Sequence, residues 1–191
     1  ATALAWQHFR ANQVDWAVLE VGLGGRLDAT NLCQPLVTVI TTISRDHTSL
    51  LGSNLADIAR EKAGIIKPGV PVICGVEQAE AVATIEQVAA ECEAPVWQLG
   101  REIQLEHDTS RHVARISTPA RTWPELFVPL PGRHQAANSA LAAAAIDLAD
   151  RGDVSIPVSD ACEAIEQLAW PVRIETVGRH PTVIVDAAHN W

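Results

Sequence analysis

Short apolar runs alternate with stretches of helical periodicity, and this alternation most restricts the folds open to the chain. Apolar runs lie near residues 16–21, 36–43, 70–74 and 96–99, and helical periodicity covers 54–63 and 79–92 between them. Near-continuous runs of Val, Ile and Leu are what strands buried on both faces look like, and strand–helix–strand order joins such strands in parallel. The expected fold is α/β, a mostly parallel sheet flanked by helices. Ser53 is placed to N-cap the 54–63 helix and Gly64 to end it, after which Lys67, Pro68 and Gly69 turn the chain into the next strand. Residues 102–128 change character, with β-type alternation in QLEHD, RHVARIS and TWPELFV, and predict a small antiparallel β extension. The Pro-Leu-Pro-Gly segment 129–132 leads into an alanine-rich helix over 133–149. A helix over 159–169 and strands over 173–177 and 182–186 follow, and residues 1–13 form an amphipathic helix.

Composition sets outer bounds. The 191 residues are 48% hydrophobic, enough to build the core of one compact domain or one and a half. No run approaches the roughly 20 apolar residues of a membrane span, and the first residues do not have the make-up of a signal peptide. The net charge of −9, with 14 basic residues scattered among 23 acidic ones, argues against a nucleic-acid surface. Cys33, Cys74, Cys92 and Cys162 lie far apart without a C-x-x-C pair, so the pattern points to neither a zinc site nor a disulfide framework. A reducing, cytoplasmic location fits these features. The sequence contains no methionine and stops after an apolar strand and a DAAHN turn, and it reads as an internal segment of a longer protein.

Chemistry concentrates where apolar runs end in acids. Glu20 follows WAVL, Asp186 follows TVIV, and Asp46 stands beside His47 just after VTVITTI. In open α/β sheets ligands collect past the carboxyl ends of the strands, and Mg²⁺ takes one or two carboxylates beside phosphate oxygens and water. Glu20 and His47 therefore fit a metal site, and they fit equally a solvated strand-end acid and a turn residue. The turn after Glu20, GLGGRL, lacks the last glycine of G-x-G-x-x-G, and no G-x-x-x-x-G-K-[ST] occurs in the chain. What remains is a tight turn whose backbone N–H groups and Arg26 can approach an anion, with Asp28 and Asn31 supplying turn-stabilising hydrogen bonds; an ordinary βα turn is the other reading.

Six segments occur in one order: EVGLGGRLDATN, ITTISRDHTSLLG, IAREKAGIIKPGVPV, GRHQAANSALA, WPVRIE and VIVDAAHN. Together they resemble the folylpolyglutamate synthase and dihydrofolate synthase family of the Mur-ligase-like ATP-dependent amide ligases. The resemblance implies the central ATPase domain of such a ligase over residues 1–191, with 170–191 the junction toward a C-terminal domain. It implies that the N-terminal P-loop unit and the C-terminal domain are not within this segment. The implied activity couples L-glutamate to a folate or dihydropteroate carboxylate through an acyl-phosphate, with ATP and Mg²⁺ and no nucleic-acid or membrane partner. The segment alone is then expected to be inactive.

Position by position, the resemblance makes Glu20, His47 and Lys62 the metal ligands. Lys62 serves as a carbamate, which turns a cationic amine into an anionic oxygen donor. His47 and Lys62 are also the implied catalytic residues. Asn138, four residues after His134, is placed against adenine; Arg173 reaches phosphates; Asp186 holds the ribose with His189 nearby. Leu27, Asp28 and Ala29 touch the pterin ring. One point of geometry stands against this set: in a helix starting at Asn54, Lys62 lies about 12 Å along the axis, away from the strand ends. A broken or tilted helix is the expected way out. Three positions depart from the family pattern: Val172 and Ala187 replace glycines, and Trp191 replaces a proline. Another Mur-type amino-acid ligase and a non-catalytic nucleotide-binding fragment are the alternative readings.

Overall fold

The computed structural model describes residues 1–44, 54–150 and 155–187. After a first helix, α1 (Thr2–Ala11), three strands β1 (Thr38–Ile40), β2 (Val72–Cys74) and β3 (Val96–Gln98) form a parallel sheet in that spatial order. Thr38 stands opposite Val72, which stands opposite Val96. The crossovers carry α2 (Leu55–Ala63) and α3 (Ala79–Glu91). Side chains alternate along a strand, so β2 sends Val72 and Cys74 to one face and Ile73 to the other. All three are fully buried. The first face packs on Ile58, Ala59 and Ala63 of α2 and on Ala81, Ile85 and Ala89 of α3.

The opposite face holds the rest of the core. A second sheet, antiparallel in the order β4 (Gln104–Asp108), β5 (Val113–Ser117) and β6 (Leu126–Phe127), packs with Ile73 against α4 (Arg133–Ala149) and α5 (Val158–Glu166). The alanines of α4 let it approach closely: Ala136, Ala140, Ala143 and Ala144 are fully buried. One acid interrupts this face. The Asp147 side chain has no exposed surface; it accepts from Thr118 Oγ1 at 2.6 Å and Trp123 Nε1 at 3.0 Å. Arg121 Nε lies 2.7 Å from its other oxygen, as an ion pair without hydrogen-bond alignment. Asp147 thereby ties the corner between β5 and β6 to α4. A separate antiparallel hairpin, β7 (Glu175–Arg179) and β8 (Thr182–Val185), follows.

The α/β architecture with its antiparallel extension is as expected, and several boundaries are not. Residues 16–21 form no strand: no described strand pairs with them, and Val18 is 97% exposed. An apolar run becomes a strand only where a neighbour takes its backbone hydrogen bonds. Asn54, not Ser53, caps α2, its side chain accepting from Asp57 N at 2.7 Å, while Ser53 lies outside the described residues. The helix expected over 159–169 ends at Glu166, ahead of Pro171, whose ring disfavours helical backbone before it. The strand expected from Arg173 starts at Glu175, because Val172 and Ile174 have φ of 59° and 51°, outside the β region.

All four cysteines are unpaired, and burial pushes the Cys74 thiol up. Among the described residues no helix is long and apolar enough to cross a membrane.

Candidate functional site

The turn after Glu20 is shaped from within by one carboxylate. Asp28 caps a 3₁₀ turn over Ala29–Leu32, accepting from Thr30 N at 2.8 Å and Thr30 Oγ1 at 2.6 Å. Its second oxygen accepts from Gly22 N at 3.1 Å and Leu23 N at 3.4 Å. The Thr30 hydroxyl, then the backbone N–H groups, hold the Asp28 carboxyl below the ordinary carboxylate range. A group whose folded pKa is depressed stabilises the fold above its unfolded pKa and loses that contribution as pH falls through the folded value. The Gly22–Thr30 closure is therefore expected to stay intact down through the usual carboxylate range and open only below it. Amide chemical shifts of Gly22 and Thr30 along an acid titration read this directly, and Asp28→Asn abolishes the transition.

This turn docks on the C-terminal end of α2, where Lys62 lies. Arg26 N donates to Glu61 O at 2.9 Å, and Arg26 Nε meets Glu61 Oε1 at 2.9 Å. Two glycines let the backbones meet. A Cβ on Gly25 would stand 2.9 Å from both Glu61 O and Lys62 O, and one on Gly64 would stand 2.4 Å from Arg26 Cβ. Gly25→Ala is expected to lower stability by about 1–3 kcal/mol by forcing these backbones apart. A drop of about 2–4 °C in Tm per kcal/mol measures it in a chain of this size. The break expected in the helix before Lys62 is absent. The helix stays regular, and the glycine turn meets its far end.

The side chain of half-buried Lys62 makes no hydrogen bond or ion pair among the described residues, whereas Lys67 Nζ donates to Asn31 O at 2.9 Å. Glu20 is exposed, outside any helix or strand, two residues before Gly22, and Leu27 and Ala29 are exposed beside the anchored Asp28. Asn138 is exposed on α4, its amide donating to Gln135 Oε1 at 3.3 Å. Arg173 lies between Val172 and Ile174 in their left-handed backbone, a conformation that strains β-branched residues. Ala187 N donates to Val172 O at 2.9 Å and so brings Asp186 to the neighbourhood of Arg173. His47, Asp46, His189 and Trp191 lie outside the described residues. The interlock of Gly25, Arg26, Glu61 and Gly64 had no counterpart in the sequence reading, which treated Gly64 as a helix end.

Among the described residues no group of three or more His, Cys, Asp or Glu is assembled for a metal. The donor chemistry nonetheless suits a hard cation: Glu20 offers exposed carboxylate oxygens, and the Lys62 amine lacks a competing partner among the described residues. As an ammonium Lys62 would repel a cation; as a carbamate it would offer oxygen donors to one.

The profile of the Mur ligase middle domain matches residues 2–146. The chain belongs to this Mur ligase family. It is 36% identical over 194 residues to the dihydrofolate synthase/folylpolyglutamate synthase of Bacillus subtilis, covering 99% of this chain and 45% of that protein. The Escherichia coli K12 protein of the same name is 36% identical over 184 residues, covering 95% of this chain and 41% of its own length. Among solved structures, a folylpolyglutamate synthase in complex with AMPPCP and folate superposes with TM-score 0.92 at 33% identity. That match covers 99% of this chain and 47% of the other. The Mur ligase chain thus spans somewhat under half the length of these relatives. Its likeness to folylpolyglutamate and dihydrofolate synthases, expected from six ordered segments, is borne out along nearly the whole chain.

Proposed function

We propose that this chain serves a protein that ligates L-glutamate to the carboxylate of a folate or dihydropteroate, cleaving ATP to ADP and phosphate. The observation that carries the reading is the docking of the Lys62 helix end onto the glycine turn after Glu20. It occurs in a chain 36% identical to a dihydrofolate synthase/folylpolyglutamate synthase. Glu20, His47 and Lys62 are the proposed Mg²⁺ ligands, Lys62 after its neutral amine adds to CO₂ and releases a proton. Mg²⁺ held there offsets phosphate charge, the main electrostatic demand of phosphoryl transfer. Asn138 is assigned to the adenine, Arg173 to phosphates, and Asp186 with His189 to the ribose. Leu27, Asp28 and Ala29 line the pterin, Asp28 through its backbone, since its carboxylate is engaged within the turn.

The substrate carboxylate attacks the γ-phosphorus and ADP leaves. The glutamate amine then attacks the acyl carbon, phosphate leaves, and the amine gives up a proton. The free cysteines support a reducing, cytoplasmic setting.

The test is ADP release by the full-length protein. Release that requires both L-glutamate and a folate or dihydropteroate is expected. Release driven by another amino acid and acceptor assigns the chain to a different Mur-type ligase. Residues 1–191 alone are expected to release no ADP above background, since no phosphate-cradling G-x-x-x-x-G-K-[ST] lies within them.

A further inference from the structure

We propose that Asn31 is a positioning residue that registers Lys62 against the glycine turn. Its carboxamide NH₂ donates to Arg26 O at 2.9 Å, inside the turn, and to Gly64 O at 3.0 Å, at the end of α2. Both neighbours are carbonyl oxygens, so the nitrogen must face them, and both of its N–H groups are used. Gly64 O belongs to the last turn of a helix, where carbonyls have no intrahelical donor. Asn31 supplies that donor from another part of the chain.

A second strap runs beside it. Arg26 N donates to Glu61 O at 2.9 Å, so Lys62 is bracketed by two backbone carbonyls, Glu61 O and Gly64 O, each bonded to the turn. The Arg26–Glu61 side-chain pair, 54% and 27% exposed, adds little to this. Asn31 Oδ1 is buried without a hydrogen-bond partner among the described residues. What the side chain contributes is therefore its two donors. Aspartate would turn acceptors onto both carbonyls, and alanine would leave both unbonded.

The lysine content sharpens the assignment. The chain has two lysines, Lys62 and Lys67, against twelve arginines, and both lie at this joint. Lys67 Nζ donates to Asn31 O at 2.9 Å and braces the clip from behind. The Lys62 side chain has no hydrogen-bond or ion-pair partner among the described residues. The consequence for turnover rests on the reading of Lys62 given above; the registration itself does not.

The experiment measures hydrogen exchange and site-resolved amine acylation by N-hydroxysuccinimide acetate on the full-length protein and two variants of it, without nucleotide or bicarbonate. Asn31→Ala removes the clip, and Gly64→Ala wedges the joint open from the helix side. Both are expected to speed exchange of the Arg26 amide on the order of tenfold, the effect of losing hydrogen bonds at a local joint. Lys62 acylation changes several-fold in parallel, while the core amides of Val72 and Gly75 keep their protection. Unchanged Arg26 exchange and Lys62 acylation in folded Asn31→Ala overturns the proposal. Loss of Val72 and Gly75 protection in both variants overturns it too, because Asn31 is then a general stabiliser. A wild-type protein without ligase activity would sink the functional reading and leave this result standing.

Discussion

Replacing Lys62 with methionine in the full-length protein is expected to lower kcat/KM for glutamate-dependent ADP release by about 10³-fold, the scale seen when one transition-state charge contact is lost. Stability should barely change. Lys62 is half-buried and its side chain makes no hydrogen bond or ion pair among the described residues, so no buried partner is orphaned. Substitutions of that kind usually stay within about 0.5 kcal/mol. The decisive companion is Lys62→Arg. A guanidinium keeps the charge but forms no carbamate, so this variant should fail as badly as Lys62→Met. If Lys62→Arg retains turnover, the lysine acts as a simple cation and the ligand assignment is wrong.

The largest effect on the fold is expected at Asp147. Asp147→Ala removes in one step the acceptor for Trp123 Nε1 and Thr118 Oγ1 and the partner of Arg121. Trp123 is 3% exposed, so its N–H is left without water or protein to bond. A buried donor orphaned in this way costs about 1–3 kcal/mol, and the sum over the network is about 3 kcal/mol. For a chain of this length that lowers Tm by roughly 6–12 °C. Asp147→Asn, which keeps the shape and one acceptor oxygen, should fall between. A loss below about 1 kcal/mol in Asp147→Ala would mean that water replaces the carboxylate at the corner between β5 and β6.

Local signals in the sequence account for the layout and fail at the joints. The parallel strands were legible because β2 is buried on both faces and therefore apolar throughout. Helix α2 was legible from its periodicity, and Gly64 as its end. The run at 16–21 misled because apolar character records a demand for burial and does not name the partner that meets it. The later start of β7 follows from the positive φ of Val172 and Ile174, a backbone conformation that their β-branched side chains do not announce.

The site divides in the same way. Asp28 and Asn31 are turn-stabilising residues, as their place in the sequence implies. The partnership of Asn31 with Gly64 joins residues 33 apart, which no local pattern encodes. The docking of the glycine turn on the far end of α2 is a tertiary contact that no spacing along the helix announces. Asp147 escaped notice altogether, as one acid in an alanine-rich helix.

The central claim is that Lys62, held against the glycine turn, becomes an anionic oxygen ligand. Carbon NMR of the full-length protein equilibrated with ¹³C-bicarbonate, Mg²⁺ and ATP tests it most directly. A carbamate resonance that is present in the wild type and absent in Lys62→Met is the predicted result. No carbamate resonance in a wild-type protein that ligates at full rate without bicarbonate would contradict it.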